Sequence, residues 1–266
     1  MSRFKNQTVW VTGASSGIGE GLARAFAAEG ARLILSGRRK DALQAVADDL
    51  ETESLILPFD TADFPALAAH IDTAWDWQGR VDILVNNAGI SQRSLAIDTK
   101  PEVYTKLIEV DLLAPIWLTQ LQLPKMAAAG GAHIVAISSV AGRIGAPLRT
   151  AYSAAKHGLI GYMDALRAET AAQNIRVTNV LPGSVQSNVA QNALTGDGSK
   201  NAKAEANIDG GDSAADCAAA ILDAVHANTP ELIFAKGMEL ELAKLRHNDP
   251  EKLFSILGDL AKTYTK

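Results

Sequence analysis

The chain has 266 residues, with 25 Lys and Arg against 30 Asp and Glu, one cysteine, 47% hydrophobic and 5% aromatic residues. That is ample for a domain with a sizeable core, and a net charge of −5 with ordinary apolar content excludes intrinsic disorder. Cys217 alone excludes a disulfide framework and points to a reducing, cytoplasmic setting, while a pI near 5.6 argues against a nucleic-acid surface.

The start, MSRFKNQTVW, has no signal-peptide apolar region, and no apolar run nears the ~18 residues of a membrane span. The first predicted strand, 8–12, runs into Thr12-Gly13-Ala14-Ser15-Ser16-Gly17-Ile18-Gly19, directly before a predicted helix over 18–29. Side chains at the glycines would block a tight turn and keep the backbone from a diphosphate. The helix N-terminus then offers N–H groups and partial positive charge. Gly13, Ser15, Ser16, Gly17, Ile18 and Gly19 are therefore candidate dinucleotide contacts, although the gap between the first two glycines departs from G-x-G-x-x-G. Residues Gly13 to Gly17 also fit G-x-S-x-G, a hydrolase nucleophile elbow with Ser15 as nucleophile. Asp216 or Asp223 with His226 or His247 would complete a triad in chain order. Against it, the turn follows the very first strand, leaving no upstream segment for an oxyanion loop.

A second strand, 32–36, leads into Ser36-Gly37-Arg38-Arg39 and a helix over 41–51. An acidic residue at this strand end would suit the ribose hydroxyl of NAD, whereas two guanidinium groups suit the 2′-phosphate of NADP. Arg38 and Arg39 favour NADP over NAD. Strands follow at 54–59, 81–85, 132–138, 176–181 and 232–234, separated by helical patterns at 64–77, 101–129, 150–173 and 213–227. Nearly continuous apolar strands alternating with amphipathic helices predict parallel strands covered on both faces, in a doubly wound α/β sheet. No repeat or second alternation appears, so one domain over 1–266 is expected, and no metal site is read from the chain.

Residues 183–211 are small, polar and free of aromatics, and they follow a strand's carboxyl end, where open α/β sheets bind ligands. They are expected to form a lid. The tail, 239–266, reads as one or two helices interrupted at Asn248-Asp249-Pro250.

Tyr152 and Lys156 stand one helical turn apart. An ammonium beside a phenol favours the phenolate, which suits a general acid–base. Ser139, where the fifth strand runs out, is placed to donate to a carbonyl oxygen or to cap a turn. TGASSGIG at Thr12–Gly19, Asn86-Asn87-Ala88-Gly89, Ser139, Tyr152-x-x-x-Lys156 and Pro182-Gly183 occur in order. Together they resemble the short-chain dehydrogenase/reductase family over roughly residues 5 to 235.

The resemblance implies a Rossmann-type three-layer αβα sandwich with about seven strands, a nicotinamide cofactor and carbonyl/alcohol redox chemistry. It implies that Tyr152 exchanges a proton with the substrate oxygen, that Lys156 holds the nicotinamide ribose, and that Ser139 orients the carbonyl. Asp60 and the adjoining Thr61 would meet the adenine, Asn87, Ala88 and Gly89 the adenosine ribose, and Val185 and Ser187 the carboxamide. In Ile108-Glu109-Val110-Asp111-Leu112-Leu113, the family usually has asparagine where this chain has Asp111. An ionised aspartate cannot donate and would compete for the Lys156 ammonium, so the expectation is a retained water-positioning role with altered pH dependence. The alternative is a partly solvated surface acid. The usual C-terminal Gly-Gly pair is absent, which favours a homodimer packed through helices 101–129 and 150–173 over a tetramer. The expected function is an NADP(H)-dependent oxidoreductase acting on a small carbonyl or alcohol. The other-class alternative is a catalytically impaired dinucleotide-binding regulatory or scaffold protein.

Overall fold

The computed structural model describes residues 2–187, 189–201, 208 and 210–264. Seven strands, β1 (Thr8–Thr12), β2 (Arg32–Gly37), β3 (Ser54–Pro58), β4 (Ile83–Asn86), β5 (Ala132–Ile137), β6 (Ile175–Pro182) and β7 (Glu231–Phe234), form one parallel sheet in the order β3-β2-β1-β4-β5-β6-β7. The order reverses between β1 and β4, which opens a crevice at their carboxyl ends.

Strand periodicity divides the core. Val9 and Val11 of β1 face one layer with Leu22 and Phe26 of α1 (Gly17–Ala28), while Trp10 faces the other with Ile34 and Leu84. The apolar runs are unbroken because both layers are covered. Helix α2 (Lys40–Asp48) sends Leu43 and Val46 into the first layer, and α3 (Leu67–Gln78) sends Leu67 and Ile71 into the second. The Trp10 indole donates to Ser36 Oγ at 2.8 Å, so its one polar atom is satisfied inside the core.

The predicted 101–129 helix is real but interrupted: α4 (Pro101–Ile108) and α5 (Ala114–Ala128) are joined by a π-helical turn, Glu109–Leu113. Pro115 lacks the N–H that an α-helix would offer to the carbonyl of Asp111, and its ring crowds that carbonyl. The widened turn is the local answer, and it places Asp111 inside the protein.

Helix α6 (Thr150–Glu169) follows β5 and lies in the second layer; α7 (Ala214–His226) covers the first. The tail forms two helices, α8 (Gly237–Asn248) and α9 (Pro250–Lys262). Asp249 caps the second, accepting the Lys252 N–H at 3.0 Å, with Pro250 at its first position. Leu242, Ala243, Leu253 and Leu257 pack on Val140 and Ile144, so the tail folds back onto the segment that follows β5. Of the expected lid, 188, 202–207 and 209 lie outside the described residues. Residues 189–201 dock against 91–100, through Leu194 N–H to Ser91 O and Arg93 N–H to Leu194 O, both 2.8 Å.

Candidate active site

The glycine turn is built around Thr12, whose hydroxyl donates to Val85 O at 3.1 Å and accepts the N–H groups of Asn87 and Ala88 at 3.0 and 3.1 Å. The Asn87 amide returns a bond to Thr12 O at 2.9 Å, which locks β1 to β4 at the switch point. Gly13 sits at φ +67, and a Cβ there would stand 2.8 Å from Asn87 Nδ2. Gly19 does not line the cleft; a Cβ on it would meet Gly13 O at 2.2 Å, so it supports the turn from behind. Ser16 begins α1 without a side-chain cap, leaving the first-turn N–H groups to a ligand. This cradle fits a diphosphate.

Gly19→Ala is expected to destabilise the fold by about 2–4 kcal/mol, because backbone rather than a movable side chain occupies the space. Urea unfolding reads it; a midpoint equal to the parent's would show that the turn yields.

Every other predicted site residue except Asp111 lines one cleft of about 1080 Å³, roomy enough for a dinucleotide and a small substrate. At one end Arg38 and Arg39 are exposed beside Gly37, with Arg39 Nη2 donating to Ser15 Oγ at 3.1 Å. Asp60 and Thr61 follow β3 next to them, and Asp60 Oδ1 accepts the Ala62 N–H at 3.0 Å.

At the other end stand Ser139, Tyr152 and Lys156. Ser139 bears out the turn-cap reading: its Oγ accepts the Ala141 N–H at 3.1 Å, and its hydroxyl donates to the backbone oxygen of Pro182 at a long 3.4 Å. Helix α6 starts where it does because buried Gln92 accepts the Ala151 N–H at 2.8 Å through its side-chain oxygen. Tyr152 therefore emerges from a capped first turn. Lys156 is buried, donates to Ile137 O at 3.0 Å, and holds its ammonium 5.6 Å from the centre of the Tyr152 ring.

Asp111 lies behind this group and is not a surface acid; it is fully buried. Its Oδ1 accepts the Ile90 N–H at 2.9 Å, and Oδ2 has no protein partner among the described residues. A Cβ on Gly89 would stand 2.9 Å from Asp111 Oδ1 and 3.5 Å from Lys156 Nζ, so that glycine separates the two charged groups. Burial pushes the Asp111 carboxyl up from 3.8 to about 6, against the pull of the Lys156 charge and the Ile90 N–H. A carboxyl raised on folding is favoured when protonated. Its ionisation thus removes stability as pH rises from about 4 through 6, and the loss is complete above that. Asp111→Asn keeps an acceptor for Ile90. It is expected to exceed the parent by about 2–3 kcal/mol near pH 7 and to match it near pH 4, read from urea midpoints. A gap that does not change with pH would refute this.

The hydrolase alternative has no geometry. Asp216 bonds Ser213, Asp223 pairs with Arg3, the His226 ring packs edge-on against Phe4, and His247 bonds Arg143. None of them meets Ser15. Sequence reasoning missed the tail: Met238, Glu239, Leu242, Leu257, Leu260 and Tyr264 also line the cleft. The apolar spacing of the tail was visible, but what it packs against was not. No helix of the described residues is long and apolar enough to cross a membrane.

A family model described as short chain dehydrogenase matches residues 7–197. The mouse dehydrogenase/reductase SDR family member 7B is 37% identical over 270 residues, covering 99% of this chain and 84% of that protein. An Anopheles gambiae dehydrogenase/reductase SDR family protein 7-like is 38% identical over 267 residues, covering 97% and 84%. Among solved structures, a short-chain dehydrogenase/reductase from Burkholderia phymatum in complex with NAD superposes with a TM-score of 0.84 over 94% of this chain and 96% of that one; at 23% identity this likeness concerns the fold. A putative short-chain alcohol dehydrogenase from Sinorhizobium meliloti 1021 is 32% identical, with a TM-score of 0.66 over 70% of this chain and 75% of that one.

Proposed function

The chain belongs to the short-chain dehydrogenase/reductase family, and on that premise we propose that it is an NADP(H)-dependent oxidoreductase acting on a carbonyl or secondary alcohol. The convergence of Ser139, Tyr152 and Lys156 on the cleft that begins at the glycine cradle carries this reading. A bound nicotinamide dinucleotide supplies or accepts the hydride. The Tyr152 phenol gives its proton to the substrate oxygen in reduction and recovers one in oxidation. Ser139 turns its weakly engaged hydroxyl proton from Pro182 O to that oxygen and stabilises charge as it develops. Lys156 uses one donor on Ile137 O and keeps two for the ribose hydroxyls.

Arg38 and Arg39 bind the 2′-phosphate. Two cations before the first turn of α2 are unfavourable there unless an anion joins them, which is the physical argument for NADP over NAD. Asp60 and Thr61 flank the adenine, Asn87 to Gly89 the adenosine ribose, and Val185 and Ser187 the carboxamide. Asp111 orders water behind Lys156, ionised at neutral pH and a proton donor below about pH 6. Residues 183–187 and 189–201 wall the substrate end of the cleft, through Val189, Asn192 and Leu194. Exposed Trp117 and Leu121 on α5 supply apolar area for a homodimer through α5 and α6. The protein works in a reducing, cytoplasmic compartment, with Cys217 buried and unreactive.

Steady-state consumption of NADPH with a panel of diketones and aromatic ketones tests the proposal. Turnover above the cofactor-only rate supports it. The buried carboxylate in place of asparagine favours one second reading, a dinucleotide-binding regulator: tight NADPH binding with no turnover across the panel would select it.

A further inference from the structure

Gly183, Ser184, Val185 and Ser187 line the cleft where β6 ends, on the opposite side of the switch point from Arg38 and Arg39. The contacts that hold this loop come largely from the C-terminal segment, outside the residues the family model matches. The Glu239 carboxylate, in the first turn of α8, accepts the Ser184 N–H at Oε2 and the Ser184 hydroxyl at Oε1, both at 2.8 Å. Gly183 permits this approach, because a Cβ there would stand 2.2 Å from Glu239 Oε2. Lys236, just before, pairs with Asp212, whose backbone brackets the same loop. Asp212 N–H donates to Ser184 O at 3.1 Å, and Asp212 O accepts the Gln186 N–H at 2.9 Å.

The Lys236 pair is exposed at the lysine and holds little by itself. The Glu239 contact is different in kind. Two charge-assisted bonds to one residue fix its position and its orientation, and the part-buried site screens them less. On its far side the loop abuts the glycine cradle: a Cβ on Gly17 would stand 3.0 Å from Ser187 Cβ. At its root, Pro182 O takes the Ser139 hydroxyl. A shift of this loop therefore reaches the cleft beside Ser139 and Tyr152, and leaves the β2 and β3 ends untouched.

We propose that Glu239 is a positioning residue for the nicotinamide half of the cofactor, holding residues 183–187 in place so that Val185 and Ser187 can meet the carboxamide. The proposal rests on the reading of the cleft as a nicotinamide dinucleotide site. It makes no demand on the adenosine half.

The test compares two ligands on the full chain, NADPH and 2′-phospho-ADP-ribose, the latter lacking the nicotinamide. Fluorescence titration gives the Kd of each, and steady-state kinetics give kcat and KM. Glu239→Ala is expected to weaken NADPH binding about tenfold and to lower kcat, with the fragment's Kd unchanged. Glu239→Gln is expected to restore most of the loss, since its oxygen accepts the Ser184 N–H and the Ser184 hydroxyl can turn to accept from its amide. Ser184→Ala removes only the hydroxyl bond and should give a smaller loss with the same selectivity; it also keeps the test open if Glu239→Ala unfolds. Equal losses for both ligands, or none for either, overturn the proposal. If the chain takes NADH instead, NADH and ADP-ribose form the equivalent pair. A parent chain that binds none of these ligands overturns the reading of the cleft and the role of Glu239 with it. Binding by the parent with unaffected variants overturns the role of Glu239 alone.

Discussion

Tyr152→Phe is expected to lower kcat by about 10²–10⁴-fold while dinucleotide affinity and thermal stability stay near the parent's, because one oxygen leaves and nothing else moves. The ring packs with Val103, Leu107 and Ala151, contacts that phenylalanine keeps, so folding has little to lose. The Lys156 ammonium is anchored on Ile137 O, not on the phenol, so the ribose-holding role proposed for it would survive the change. What would disappear is the proton proposed to reach the substrate oxygen, and the half-buried position of Tyr152 leaves bulk water a poor substitute. Measuring kcat beside the Kd for NADPH separates the outcomes. Undiminished kcat would remove Tyr152 from the chemistry. A matched fall in affinity and rate would make it a binding residue instead.

Replacing both Arg38 and Arg39 by alanine is expected to cut kcat/KM with NADPH by about 10²-fold or more, with kcat/KM for NADH unchanged or improved. Both guanidinium groups are exposed at the end of the cleft next to Gly37, beyond the β2 carboxyl end. Arg39 already reaches across to Ser15 on the glycine turn, so its fork is held beside the place where an adenosine ribose would follow the diphosphate. A hydrogen bond to a charged partner contributes about 1.5–3 kcal/mol, and two are removed together. Salt sharpens the test. The parent's advantage with NADPH should shrink as ionic strength rises, and the double variant should lose that dependence. A parent that prefers NADH, or a variant with an unchanged cofactor ratio, would exclude NADP as the natural ligand.

Much of this architecture was readable from local signals. Thr8–Thr12 is a run of five residues, all of them buried, and such a run between two turns has few other fates than a central parallel strand. The end at Asn248-Asp249-Pro250 was legible because an aspartate cap and a proline at the next position are short-range chemistry. The predicted Pro101–Ala129 helix was right in extent and wrong in its middle. Pro115 was visible, but whether the helix stops there or opens a π turn depends on what holds both halves, and that is the packing of α4 and α5 against the rest. Asp111 follows the same logic. From the chain alone it reads equally as a water-positioning group near Lys156 or as a solvated acid, and only the opened turn decides between them by carrying it to Ile90 and the rear of Lys156.

The sequence by itself determined the elements, the glycine turn and the one-turn spacing of Tyr152 and Lys156, because residues one turn or one strand apart see each other whatever the rest of the chain does. The tertiary structure decided which distant stretches share the cleft. Gln92 caps the helix that carries Tyr152, and Glu239 grips the loop after β6. Leu257 and Leu260 of the tail reach the same cleft as the glycine turn that precedes them by more than half the chain. Such meetings depend on strand order and on where an apolar helix face finds cover. Neither has a period or a spacing that the chain displays before it folds.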